Sequence, residues 1–277
     1  MTAQPMPERS APLIAGALEV IDKGTCTAAH PVPLLFVHGA WHGAWCWDEH
    51  FLDFFADRGF RAVAVSLRGH GNSPVPKAFR RCSGADYVDD VRSVADALPT
   101  PPVLIGHSMG GYVVQKYLET ATVPAGILLA ALSVRGLNNL MLRLMKQHPW
   151  LMTKGMITGR SLEIVGRPAR TRERFFSAQT PEDDVARCVA RLREESQRIL
   201  FDAVLLNPPR PQRVRTPMLV LAAEYDGCLT VDAMRDLARS YGTEAEIFPG
   251  MGHDMMLEPG WAAVADRIEA WLAGRGL

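Results

Sequence analysis

A serine, an aspartate and a histidine follow one another along this chain in surroundings that suit acyl transfer. They are Ser108 in Gly106-His107-Ser108-Met109-Gly110, Asp226 in Ala223-Glu224-Tyr225-Asp226, and His253 in Gly252-His253-Asp254. A serine hydroxyl is a weak nucleophile at neutral pH, so it needs a base to take its proton, and the base needs an acid to hold its ring in one tautomer. The G-x-S-x-G string predicts a nucleophile elbow, in which the serine is squeezed into a strained turn and its Oγ is lifted clear of a sheet. Gly106 and Gly110 are expected there because side chains would collide with the strand and the helix. Backbone N–H groups of Met109 and Ala40 are expected to cradle the developing oxyanion, with Gly39 allowing close approach of the chain.

Those groups need elements that end at one place. Val103-Leu104-Ile105 reads as a buried strand and Tyr112 onward as a helix packed back on it. Upstream, Leu34 to Val37 is an inner strand, Phe51, Phe54 and Phe55 recur at helical spacing, and Ala62 to Val65 forms another strand core. Leu13 to Ile21 is expected to be an edge strand. A helix starts near Ser83 and stops at Pro99, and Ala125 to Leu132 follows as a strand. From about 134 to 212 the alternation stops. Apolar, Met-rich helices take over, and a long amphipathic helix is expected from Thr180, carrying Val185, Val189, Leu192, Ile199 and Val204. Strand and helix then resume with Met218 to Ala222, Val231 to Ser240, Ala245 to Phe248 and a last helix through Trp261 and Leu272. This is the pattern of a mostly parallel, doubly wound α/β sheet with an inserted helical cap. We expect a single domain over 1–277, with a core at about 1–133 and 213–277 and the cap at about 134–212, entered again through the Pro-rich Asn207 to Pro211.

In such a sheet ligands sit beyond the carboxyl ends of the strands, and Ala40, Ser108, Asp226 and His253 all follow strands. Asp202 and Asp254 are rival acids. Asp202 lies within a cap helix and Asp254 is badly placed to brace its own neighbour, so chain order favours Asp226. Of the other histidines, His107 is expected to point into the sheet, His38 to fix its loop, and His42 and His70 to lie on the surface or in loops. Trp41 and Trp45 are candidate pocket residues, while Trp47 and its neighbours could equally fill core.

The bulk composition excludes other classes. Lys plus Arg and Asp plus Glu number 30 each over 277 residues, so no net field attracts nucleic acid or an anionic membrane. No apolar run is long enough to span a bilayer, and Met1 to Pro12 lacks the features of a secretory signal, so a cytoplasmic protein is expected. The five cysteines are scattered without ligand-like spacing, so free thiols, no metal and no cofactor are expected. The assembly allowed for is a homodimer.

The order serine, acid, histidine is that of the α/β-hydrolases and differs from the chymotrypsin and subtilisin orders. Over essentially its whole length the chain resembles that superfamily, through His38-Gly39-Ala40-Trp41, Arg68-Gly69-His70-Gly71-Asn72-Ser73, Gly106 to Gly111, Ala223 to Asp226 and Gly252 to Asp254. A serine rather than an aspartate at the elbow disfavours dehalogenation and epoxide opening. The stretch His38 to Trp47 is similar to the start of plant methylesterases and hydroxynitrile lyases, but the lyase threonine is replaced by Gly39 and the lyase lysine by Asp254. The resemblance therefore implies hydrolysis of a small to medium hydrophobic carboxylic ester through an acyl-enzyme. The alternatives on the same triad are carbon–carbon bond hydrolysis, lactone opening and cofactor-free perhydrolysis, with a non-catalytic ligand receptor as the reading from another class.

Overall fold

The computed structural model describes residues 17–277. Seven strands form one sheet in the order β1-β3-β2-β4-β5-β6-β7. They are β1 (Val20–Lys23), β2 (Leu34–Val37), β3 (Ala62–Val65), β4 (Val103–His107), β5 (Gly126–Leu129), β6 (Met218–Ala223) and β7 (Ala245–Phe248). All pairings are parallel except β1 with β3, which closes one edge antiparallel. The edge strand lies at Val20–Lys23 rather than from Leu13, whose first residues fall outside the described ones. β2 to β6 are buried along their whole length, which explains why they read as unbroken apolar runs rather than as alternating ones.

Helices α1 (Trp45–Asp48), α2 (Phe51–Asp57), α3 (Gly84–Ala95), α4 (Met109–Leu118), α10 (Val231–Ser240) and α11 (Trp261–Ala273) belong to the alternating part of the chain. Ser83 caps α3 as the sequence pattern requires: its side chain accepts from the Asp86 N–H, and the Asp86 carboxylate answers its backbone N–H. Phe51, Phe54 and Phe55 lie in one helix, α2, and the short α1 precedes it.

Between β5 and β6 the chain adds α5 (Val134–Gln147), α6 (Pro149–Thr158), α7 (Pro168–Phe175), α8 (Glu182–Arg191) and α9 (Gln197–Phe201), followed by a π-helical turn over Asp202–Leu206. The inserted cap is therefore present, but its long helix from Thr180 is broken. α8 ends at Arg191, and the segment to Ser196 is extended because buried Glu195 turns inward. There its carboxylate accepts from the Tyr87 hydroxyl at 2.6 Å and from the Ser196 N–H at 2.6 Å. A tertiary hydrogen bond thus overrides an apolar period that continues straight through.

The strand order reverses between β2 and β4, which makes their carboxyl ends the topological switch point. Register fixes what meets there. Val37 pairs with Gly106, so Ala40 and Ser108 emerge side by side, and Ala223 pairs with Phe248, so the Asp226 and His253 loops do likewise. Among the described residues no helix is long and apolar enough to cross a membrane. All five cysteines are free thiols.

Candidate active site

Ser108 sits between β4 and α4 with φ 50° and ψ −116°, a left-handed backbone that costs on the order of 1–3 kcal/mol for a residue with a Cβ. The surroundings enforce it. Its N–H donates to Leu129 O, and its carbonyl accepts from Leu132 and Tyr112. A Cβ on Gly106 would stand 2.6 Å from Gly110 O, and one on Gly110 would stand 2.3 Å from Val37 O, so the tight crossing admits only glycine at both. Ser108 is left half-buried, facing a cavity of about 60 Å³.

His253 lines the same cavity and is almost wholly buried. Its Nδ1 lies 2.8 Å from Asp226 Oδ2. The other carboxylate oxygen of Asp226 accepts from the N–H groups of Cys228 and Leu229, both at 2.7 Å, so the acid is clamped from two sides. Burial alone would pull the His253 pKa down, but the charge and hydrogen bond of Asp226, helped by Asp254, outweigh it and hold the ring's affinity for a proton above the ordinary histidine value. Arg143, on α5, donates to Gly227 O and Cys228 O at 2.7 and 2.9 Å and so ties the Asp226 loop to the cap.

Ala40 and Met109 line the cavity beside Ser108. Met109 is the first residue of α4, where backbone N–H groups have no intrahelical acceptor, and Ala40 follows β2. The Gly39–Ala40 peptide is fixed through its carbonyl: His38 Nδ1–H donates to Gly39 O at 2.8 Å, while His38 Nε2 accepts from the Leu67 N–H at 3.0 Å. Burial keeps His38 neutral by pushing its pKa well down, which that pair of bonds requires. Trp41 is also held left-handed, at φ 66°, by bonds to the cap. Its carbonyl accepts from Arg193 N–H at 2.8 Å, and its indole N–H donates to Ser161 Oγ at 3.2 Å.

The structure brings Ser108, Asp226, His253, Ala40, Met109 and Trp41 together. It does not bring Trp45 to them. Trp45 lines a separate surface pocket with Glu49, Cys188 and Arg191, where the Arg191 guanidinium lies 4.4 Å above its ring. Trp47 is core. Asp202 is buried at the cap base, accepting from Gly84 N–H at 2.9 Å and from Arg198.

His42 and His70 lie in loops, as one expected alternative had it, but not on the surface: His42 is 1% exposed and His70 0%. His42 donates from Nδ1 to Ala40 O at 2.8 Å and from Nε2 to Asp254 Oδ2 at 3.0 Å, which makes it an imidazolium behind the Ala40 loop. His107 is buried and lines the cavity beside Ser108. Burial pushes its pKa down to about 3, and its Nε2–H donates to the His253 carbonyl at 3.0 Å. Sequence reasoning missed Phe175, whose ring lies 5.9 Å from that of His253, because nothing in the local pattern of α7 marks it. It also missed Glu258, which binds Ser177 and Thr180 at the foot of the cap.

Among the described residues, three sets of side chains have metal-ligand atoms within 4.8 Å of one another: His42, Cys188 and Asp254; His107, His253 and Asp254; and Asp226, Cys228 and His253. In each set a histidine is already hydrogen-bonded to a carboxylate or a carbonyl, so an ion would have to displace those bonds.

A family model described as "Alpha/beta hydrolase family" matches residues 34–267. The chain is similar to a pFDCC methylesterase of Arabidopsis thaliana, 31% identical over 211 residues covering 72% of this chain and 78% of that protein. It is also similar to a monoacylglycerol lipase of Mycolicibacterium smegmatis, 25% identical over 241 residues covering 81% and 82%. Among solved structures, an esterase from Exiguobacterium antarcticum superposes with TM-score 0.68 at 18% identity, covering 92% of this chain and 95% of that one, a likeness of fold.

Proposed function

The chain belongs to the alpha/beta hydrolase family, and we propose that it is a serine hydrolase that cleaves a hydrophobic carboxylic ester through an acyl-enzyme. One observation carries the reading: Ser108, held in the strained elbow, and His253, bonded through Nδ1 to Asp226, open onto one cavity with Ala40 and Met109.

His253 Nε2 takes the proton of Ser108 as Oγ attacks the ester carbonyl, and the carbonyl π electrons move onto oxygen. The N–H groups of Ala40 and Met109 receive that charge, the kind of preorganised donation worth about 100- to 1000-fold per donor. Collapse breaks the bond to the alcohol oxygen, which leaves with the proton from His253. A water then gives its proton to His253, attacks the acyl carbon, and releases the acid as Ser108 Oγ recovers the proton. Asp226 holds the ring so that Nε2 is the free base, and stabilises the cation formed twice in each cycle.

A hydrophobic substrate is favoured by the lining of the cavity, where Leu132, Leu140, Met141, Leu144 and Phe175 stand around the reacting groups. The test is turnover of p-nitrophenyl esters by the native protein and by Ser108→Ala and His253→Ala. Both variants are expected to lose on the order of 10⁴-fold or more in kcat. Full activity in either would remove the assignment.

A further inference from the structure

The cavity over Ser108 is far too small for a substrate, since ligand pockets run to about 300–1,000 Å³. It adjoins a larger one. A chamber of about 350 Å³ lies within the cap, and Leu137, Met141, Ile164 and Leu200 line both it and the Ser108 cavity. The far wall comes from Phe201, Val204 and Leu205, on α9 and the π-helical turn. A π turn is rare and is found frequently at functional sites. Here its first residue, Asp202, is fixed by Gly84 N–H and Arg198, and its end by the bond of Asn207 N–H to Asp202 O at 2.8 Å, so the bulge is anchored. The outer end opens at the surface, where Phe201 is 46% and Leu205 71% exposed.

We propose that this chamber holds a long unbranched alkyl arm of the substrate, so that the protein prefers long-chain esters to the small and medium ones that the sequence alone implies. The proposal rests on Ser108 being the nucleophile. Adjacency to the reacting cavity, with four apolar side chains lining both, is what commits the chamber to substrate rather than to another occupant. An alkyl chain suits it because the side chains standing between the two chambers, Leu137, Met141, Ile164 and Leu200, are aliphatic and flexible and can move aside for a slender chain. Each methylene buried there contributes roughly two- to fourfold in kcat/KM.

Two substrate series separate the arms of the ester: p-nitrophenyl acyl esters from two to twelve carbons, and n-alkyl acetates of the same range. In one series kcat/KM should rise by at least about tenfold as the chain lengthens. Val204→Trp fills the outer chamber without entering the Ser108 cavity, and should bring the ratio of long to short ester close to one. Binding is read separately by calorimetric titration of Ser108→Ala with decanoate, which should bind and should cease to bind when Val204→Trp is added. Flat or falling kcat/KM in both series overturns the proposal even though Ser108 turns over the short esters. So does decanoate binding that Val204→Trp does not change. Loss of ester turnover at every length, with decanoate binding intact and sensitive to Val204→Trp, supports the chamber and removes the ester reading instead.

Discussion

Asp254, the residue after His253, pairs its carboxylate with His42, 212 positions earlier, at 3.0 Å with both side chains buried. The two histidine–carboxylate pairs therefore divide the work. Asp226 braces His253, while His42 and Asp254 brace the loop that carries the Ala40 amide.

Removing one member of a buried pair leaves the other charged and unpaired, which costs about 3–5 kcal/mol. Asp254→Asn should accordingly lower the melting temperature by roughly 10 °C. The pH dependence has a definite sign. Burial opposes charge on His42, but Asp254 outweighs it and raises the His42 pKa well above about 6.5, while His42 and the neighbouring histidines overcome burial to lower that of Asp254. The raised group stabilises fully below about pH 6.5 and loses this as pH climbs through its folded value. The lowered group stabilises above about pH 4 and loses this as pH falls. The difference between native protein and variant, measured by thermal denaturation across pH, should be largest between these limits and shrink on either side.

Catalysis has its own pH signature. The acidic limb of kcat/KM reports the free base in the free enzyme, and the raised His253 pKa places that limb above the ordinary histidine value. Asp226→Asn should move the limb to lower pH and reduce kcat by roughly 10⁴-fold. A pH–rate profile of both proteins with one p-nitrophenyl ester checks the two effects together. A limb that stays in place would mean that another group titrates.

Gly39 leaves no room for a side chain: a Cβ there would lie 2.7 Å from His107 Nδ1 and 3.1 Å from Ser108 Cβ. Gly39→Ala should push the Ala40 amide away from the oxyanion position and cost about 100- to 1000-fold in kcat. Circular dichroism is expected to remain native, which separates this from unfolding.

Arg143 reaches from the cap to the carbonyls of Gly227 and Cys228. Arg143→Ala should loosen the turn that aims Asp226, with a loss of about tenfold in kcat and little change in KM, because charge-assisted hydrogen bonds are worth roughly 1.5–3 kcal/mol. Steady-state kinetics on one ester is the measurement.

The elbow was legible in the sequence because everything that makes it is local: strand, turn, helix and two glycines within a few residues of Ser108. Asp226 and His253 were legible through chain order and through their places after strands. The His42–Asp254 pair was not, since its members are far apart and each looks like an ordinary loop residue. Trp45 was misplaced for a related reason. In the run Trp41 to Trp47 the sequence carries no sign of which ring faces the cavity, and packing under Arg191 turned Trp45 away. The broken helix after Arg191 belongs with these, because Glu195 and its partner Tyr87 are decided only when cap and core meet.

The covalent step can be seen directly. Native protein mixed with a p-nitrophenyl ester, quenched in acid within the first turnovers and examined by intact-protein and peptide mass spectrometry, should carry one acyl group, on Ser108, and Ser108→Ala should carry none. Rapid ester turnover with the acyl group on another residue, or undiminished turnover by Ser108→Ala, would contradict the account.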